Sequence, residues 1–136
     1  GLERAKLEPI IAEHHLGDCV ILEGSKANPY PYMRYADLYV HPSYVESQGL
    51  TILEAMAFGI PCVVTKSRGP CEFIEDGING LLTEQTPESL TEKVLEILED
   101  KELYQRVREN TRCPERFSPE RVMEPVERLI DGGKIQ

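Results

Sequence analysis

The chain has 136 residues, 40% of them apolar, which is enough for one globular domain with its own core. A formal charge of −9 argues against a general binder of nucleic acid or of anionic membranes. No apolar run is long enough to span a bilayer and no charged-then-apolar leader opens the chain, so a soluble, cytoplasmic protein is expected, with peripheral membrane docking of a longer parent left open.

In chain order, apolar residues at Leu2, Ala5, Leu7, Ile10, Ile11 and Leu16 recur near helical period and predict a helix that Gly17 closes. Cys19-Val20-Ile21-Leu22 is a short continuous apolar run before Glu23-Gly24, the pattern of a buried strand. A loop from Ala27 to Pro31 leads to a short helix at Tyr32–Tyr35, and Leu38–His41 is the next strand, stopped by Pro42. A helix is predicted from Gly49 to about Phe58 with Gly59 as terminator, then a strand at Cys62–Thr65 and a short helix at Pro70–Ile74. Asp76-Gly77 is a turn, and Gly80–Leu82 is the last strand. Pro87 opens an amphipathic helix, with two more helices at Lys101–Thr111 and Pro119–Ile130. The four cysteines, Cys19, Cys62, Cys71 and Cys113, form no C-x-x-C pair and are expected to be reduced structural thiols, Cys19 and Cys62 inside strands.

Short apolar strands alternating with helices imply an α/β fold, a parallel sheet with helices on both faces and a helical C-terminal tail. Ligands of such sheets sit outside the carboxyl ends of the strands, here the loops after Leu22, His41 and Thr65. The loop after His41 ends in Gly49, where a helix opens with unpaired N–H groups and the positive end of its dipole. A phosphate or diphosphate suits that place; an ordinary turn is the alternative. On the following helix Thr51 and Glu54, three residues apart, share one face of a segment that is otherwise apolar almost all round and so expected to be buried on most sides. A carboxylate there needs donors, which a ribose diol, an arginine or solvent could supply. His41 is expected to be a packed, hydrogen-bonded histidine, and Lys66 and Arg68 to be solvated rather than aimed at a diphosphate. The tyrosines at positions 30, 32, 35, 39 and 44 are explained by packing as well as by stacking on a base.

The stretch from Glu46 to Glu54 in E-S-Q-G-L-T-I-L-E resembles the E-x7-E signature of the family-4, or group 1, glycosyltransferases. Cys19–Gly24, Ala36–Ser43 and Gly69–Leu82 resemble further segments of that family in the same order, so the likeness covers essentially Gly1 to Leu82. It implies a Rossmann-like C-terminal lobe of a two-lobed GT-B enzyme that binds a nucleotide diphosphate sugar, a UDP- or GDP-sugar foremost. By the resemblance Glu54 would bind the ribose hydroxyls, and Glu46 the hydroxyls of the transferred sugar as the catalytic-site carboxylate. The backbone of Gly49, Leu50 and Thr51 would receive the diphosphate, and Gly24 would lie against the base. Ser47 and Gln48 stand where the family commonly has Gly-Phe, so packing over the sugar differs here. The family implies retention of anomeric configuration, no bound metal and no other cofactor, which agrees with the lack of a D-x-D motif.

On the same resemblance, the first strands of the lobe and the acceptor-binding N-terminal domain lie outside these 136 residues, and the chain alone is expected to transfer no sugar. The absent strands would separate the strand at Cys19 from that at Leu38. Two alternatives remain at this stage, a non-catalytic nucleotide-sugar-binding module and a domain like that of a nucleotide-sugar epimerase.

Overall fold

The computed structural model describes residues 3–117, and these fall into two compact units divided after Pro31. The predicted helix Pro119–Ile130 lies outside the described residues.

The first unit holds α1, Arg4–Glu13. None of its residues is buried, Leu7 and Ile10 are exposed, and Pro9 within it removes one intrahelical hydrogen bond. The helix does not end at Gly17 as predicted. His15 takes the left-handed conformation at φ 54°, its N–H bonding to Ala12 O at 3.2 Å and the Leu16 N–H to Ile11 O at 2.8 Å. That pair of bonds is a Schellman cap, and a histidine fills the position where glycine is most common.

The predicted strand at Cys19–Leu22 is not formed. Cys19 and Val20 instead turn back on the helix, both N–H groups bonding to Leu16 O, and Ile21 is 75% exposed. The carbonyl of Leu22 is taken by Arg4 Nη1 at 2.9 Å. A strand exists only through a ladder to a neighbour, and no described strand pairs with this run. Cys19 is accordingly an exposed thiol, not a buried one.

The second unit begins within α2, Tyr30–Arg34, and continues through β1 (Tyr39–His41), α3 (Leu50–Ala57), β2 (Cys62–Thr65), β3 (Leu81–Thr83), α4 (Pro87–Glu99) and α5 (Lys101–Asn110). Single 3-10 turns lie at Pro70–Glu72 and Glu115–Phe117. The three strands form one parallel sheet in the order β1-β2-β3, with Val40 opposite Val63 and Val64 opposite Leu82.

β2 is central and wholly buried, and its side chains alternate between two cores. Cys62 and Val64 join Ile52, Leu53, Ala55 and Met56 of α3 together with Phe73 and Ile74. Val63 joins Leu81, Ile97 of α4 and Leu103 and Val107 of α5. Both faces of the sheet are thus covered by helices, as the continuous apolar run of β2 required. Burial pushes the Cys62 thiol up to about 12, so it behaves as a small hydrophobe.

Helices α4 and α5 are each capped by a side chain at the N-terminus. Thr86 accepts from Ser89 N–H at 3.2 Å at the start of α4, and Asp100 from Leu103 N–H at 2.9 Å at the start of α5. The helix α3 differs from its prediction in one respect. Leu50, Thr51, Ala57 and Phe58 are exposed and Glu54 is half-buried, so one whole side of the helix faces out. Leu50 and Phe58 are the large apolar residues on that exposed side.

Candidate functional site

At the carboxyl edge of the sheet the chain leaves β1, crosses the loop Pro42–Gln48 and enters α3 through Gly49. Gly49 is the residue at which glycine is required. It is buried with φ 72° and ψ 40°, and an added Cβ would lie 3.1 Å from Ile52 Cδ1 and 3.2 Å from Phe73 Cζ. Its carbonyl starts the helix by accepting from Ile52 and Leu53 N–H, both at 3.0 Å. The N–H groups of Leu50 and Thr51, in the first turn, have no intrahelical acceptor and lie on the exposed side.

The loop itself is held from several sides. The buried Thr65 hydroxyl, at the end of β2, donates to the carbonyl of Ser43 and lies 3.3 Å from that of His41. The Gln85 amide reaches Tyr44 O at 2.8 Å and Lys66 O at 2.7 Å, tying two edge loops together. Gly69 N–H donates to Glu46 O at 3.0 Å, and the Gly69 backbone packs directly on Ser47 and Gln48. The sequence reading passed over Thr65, Gln85 and the packing role of Gly69. A polar residue closing an apolar strand and a glycine beside a proline are the signals available for two of them.

Glu46 folds back over the helix entrance. Its Oε1 accepts from Gly49 N–H at 2.9 Å and Gln48 N–H at 3.2 Å. Its Oε2 lies 3.4 Å from His41 Nε2, within ion-pair distance but short of full hydrogen-bond alignment. The Gly49 and Gln48 N–H groups and, to a smaller degree, His41 hold the Glu46 carboxyl below its usual value against a modest opposing effect of burial. The Gly49 N–H, expected to face a diphosphate, is therefore engaged by Glu46, and Leu50 and Thr51 retain open donors.

His41 and Tyr39 point to the same side of β1, two residues apart, with rings stacked at 6.1 Å and Tyr39 Oη 3.3 Å from His41 Nδ1. Burial raises the Tyr39 phenol above its ordinary value, opposed by Thr51; the neighbouring Cys62 and the negative charges of Glu54 and Glu46 raise it further. Tyr39 thus senses both glutamates and Thr51. The structure brings Glu46, Gly49, Thr51 and Glu54 together around the end of β1, with Ser47, Gln48 and Leu50 exposed at the rim. Gly24, at φ 71°, belongs to the first unit, beside a shallow hollow lined by Arg4, Leu7 and Leu22.

Lys66 pairs with Glu84, which raises its ammonium above the ordinary value, and Arg68 is exposed. His41 is the packed, hydrogen-bonded histidine anticipated from its position, and the four cysteines are free.

A parallel sheet with helices on both faces, and a glycine-opened helix flanked by two carboxylates at its carboxyl edge, defines an α/β protein with its candidate site at the sheet's carboxyl edge. Residues 1–113 match the family described as glycosyl transferases group 1, and the chain belongs to that family. It is 30% identical over 132 residues to the N-acetyl-alpha-D-glucosaminyl L-malate synthase of Bacillus anthracis, covering 95% of this chain and 35% of that protein. Among solved structures it superposes on Anabaena HepE in complex with UDP-glucose with a TM-score of 0.84 and 26% identity, over 94% of this chain and 36% of that one. It also matches the C-terminal domain of a group 1 family protein from Francisella tularensis with a TM-score of 0.72 and 28% identity, over 79% of this chain and 57% of that one. The chain therefore spans about a third of the length of the first two of these relatives. No helix among the described residues is long and apolar enough to cross a membrane.

Proposed function

We propose that this chain is the donor-binding part of a retaining glycosyltransferase that transfers a sugar from a nucleotide diphosphate sugar, with a UDP- or GDP-sugar as donor. The observation that carries the reading is the entrance to α3. A left-handed glycine opens the helix at the sheet's carboxyl edge, with two open N–H donors behind it and one carboxylate on each side. The HepE relative, solved with UDP-glucose, supports it.

In this reading the Leu50 and Thr51 N–H groups receive the diphosphate, aided by the helix dipole. Glu54, one turn further along the same face as Thr51, accepts from the ribose hydroxyls, and Glu46 accepts from the transferred sugar. Ser47 and Gln48 line the rim. The helix end stabilises the departing diphosphate, and in this reading the reaction uses no metal or other cofactor. The chain spans about a third of the length of two relatives, and in this reading the acceptor is bound outside it. The protein works in the cytoplasm.

Titration of the chain with UDP and GDP, beside Glu54→Ala, tests this. Loss of a charge-assisted ribose contact should weaken the preferred nucleotide about tenfold or more. Equal binding by both proteins would remove Glu54 from the site.

A further inference from the structure

We infer that His41 is a positioning residue that fixes the Glu46 carboxylate so that it offers one acceptor direction to a hydroxyl of the donor's sugar. This rests on the proposed contact between Glu46 and the transferred sugar and goes one step behind it.

A carboxylate has about four acceptor positions over its two oxygens. At Glu46 two are taken on Oε1 by Gly49 and Gln48 N–H, and His41 Nε2 stands 3.4 Å from Oε2. His41 Nε2 is buried and meets no other acceptor. A buried ring N–H without a partner is costly, so the nearby Oε2 is where it is satisfied. With the Tyr39 hydroxyl, 3.3 Å away, donating to Nδ1, the ring N–H sits on Nε2 and faces Glu46.

The same phenol lies near enough to Thr51 and to both glutamates for them to bear on its ionisation, so β1 stands between the face of α3 that carries Glu54 and the loop that carries Glu46. Backbone N–H groups alone would hold one oxygen and let the carboxylate swivel about it. His41 removes that freedom, leaving a single lone-pair direction on Oε2 for a ligand. A sugar with a hydroxyl along that direction gains a charge-assisted bond, and one without it does not.

The test is calorimetric titration with UDP-glucose against UDP, or GDP-mannose against GDP, using whichever pair the unmodified protein binds. The variants are His41→Phe, His41→Gln, Glu46→Ala and the double variant His41→Phe with Glu46→Ala. His41→Phe should weaken the sugar nucleotide about tenfold while leaving the bare nucleotide within about twofold. Gln keeps an N–H donor at similar reach and should restore most of the loss. In the Glu46→Ala background His41→Phe should add nothing, because the interaction it supports is already gone.

If Glu46→Ala weakens the sugar nucleotide but His41→Phe does not, or if the two losses simply add, the role of His41 is overturned and the site reading stands. If Glu46→Ala leaves sugar-nucleotide affinity unchanged, or neither pair binds, the reading of Glu46 fails and takes this inference with it. Should His41→Phe not fold, His41→Asn, whose shorter amide falls away from Oε2, is held to the same thresholds.

Discussion

Replacing Gly69 by alanine tests how the site loop is braced. Gly69 has φ −61° and ψ −60°, a conformation open to any residue, so the backbone itself offers no objection to alanine. In a site with space, the substitution would stabilise by about 0.4–1 kcal/mol through the unfolded chain. Space is what is missing. The new Cβ would stand 2.7 Å from both the carbonyl carbon and oxygen of Ser47 and 2.9 Å from Gln48 N, all backbone atoms. Carbon contacts settle near ~3.5–4.0 Å, so the two loops must part by roughly 1 Å. That opening stretches the Gly69 N–H to Glu46 O bond and disturbs the Glu46 contacts to Gln48 and Gly49. Overpacking of this kind costs about 1–3 kcal/mol, and the net expectation after the chain-entropy gain is a loss of about 1–2 kcal/mol. Urea denaturation reads it as a lower midpoint at an unchanged slope. Gly17→Ala is the control, since nothing lies within 4 Å of its added Cβ, and it should leave the midpoint unchanged or higher. A midpoint for Gly69→Ala equal to or above that of the unmodified protein would refute the bracing argument.

Glu46 has a lowered carboxyl pKa in the folded state, so its stabilisation is complete above the ordinary carboxylate range and is lost as pH falls through that lowered value. Glu46→Gln should therefore flatten the acid limb of stability below the ordinary carboxylate range in thermal melts, and an unchanged limb would contradict the carboxylate's contacts. Asp100→Ala removes the acceptor for Leu103 N–H at the start of α5 and should lower stability by about 1 kcal/mol in denaturant titrations. In thiol labelling of the native protein, exposed Cys19 and Cys71 should react promptly and Cys62 only after unfolding. Labelling of Cys62 at the rate of Cys71 would show that the core around β2 is open.

The elements that were legible in the sequence are those whose pattern is local. β2 could be read from three apolar residues and a threonine after a proline, α3 from a glycine at each end, and α4 from Pro87 and its apolar spacing. The run at Cys19–Leu22 shows the limit. Its residues suit a strand, but strand formation is decided by a partner elsewhere in the chain, and the hydrogen bonds went to Leu16 O and Arg4 instead. His15 in the left-handed position was hidden behind the stronger expectation for Gly17. Leu50 and Phe58 misled because composition cannot say which side of a short helix meets solvent. At the site, the residue types and their order were readable, and the shared face of Thr51 and Glu54 followed from helical spacing. The return of Glu46 onto its own loop and its approach to His41 depend on the path of seven loop residues, which no periodicity encodes.

The alternation of β2 has a consequence for how the second unit comes apart. Cys62 and Val64 belong to one hydrophobic cluster and Val63 to the other, so consecutive residues of a single strand supply a wall to each cluster in turn. Neither cluster can loosen without withdrawing a wall from its neighbour. Melting of the α4–α5 side is thereby linked to melting of the α3 side that carries the site, and the two should be lost in one cooperative step rather than in sequence.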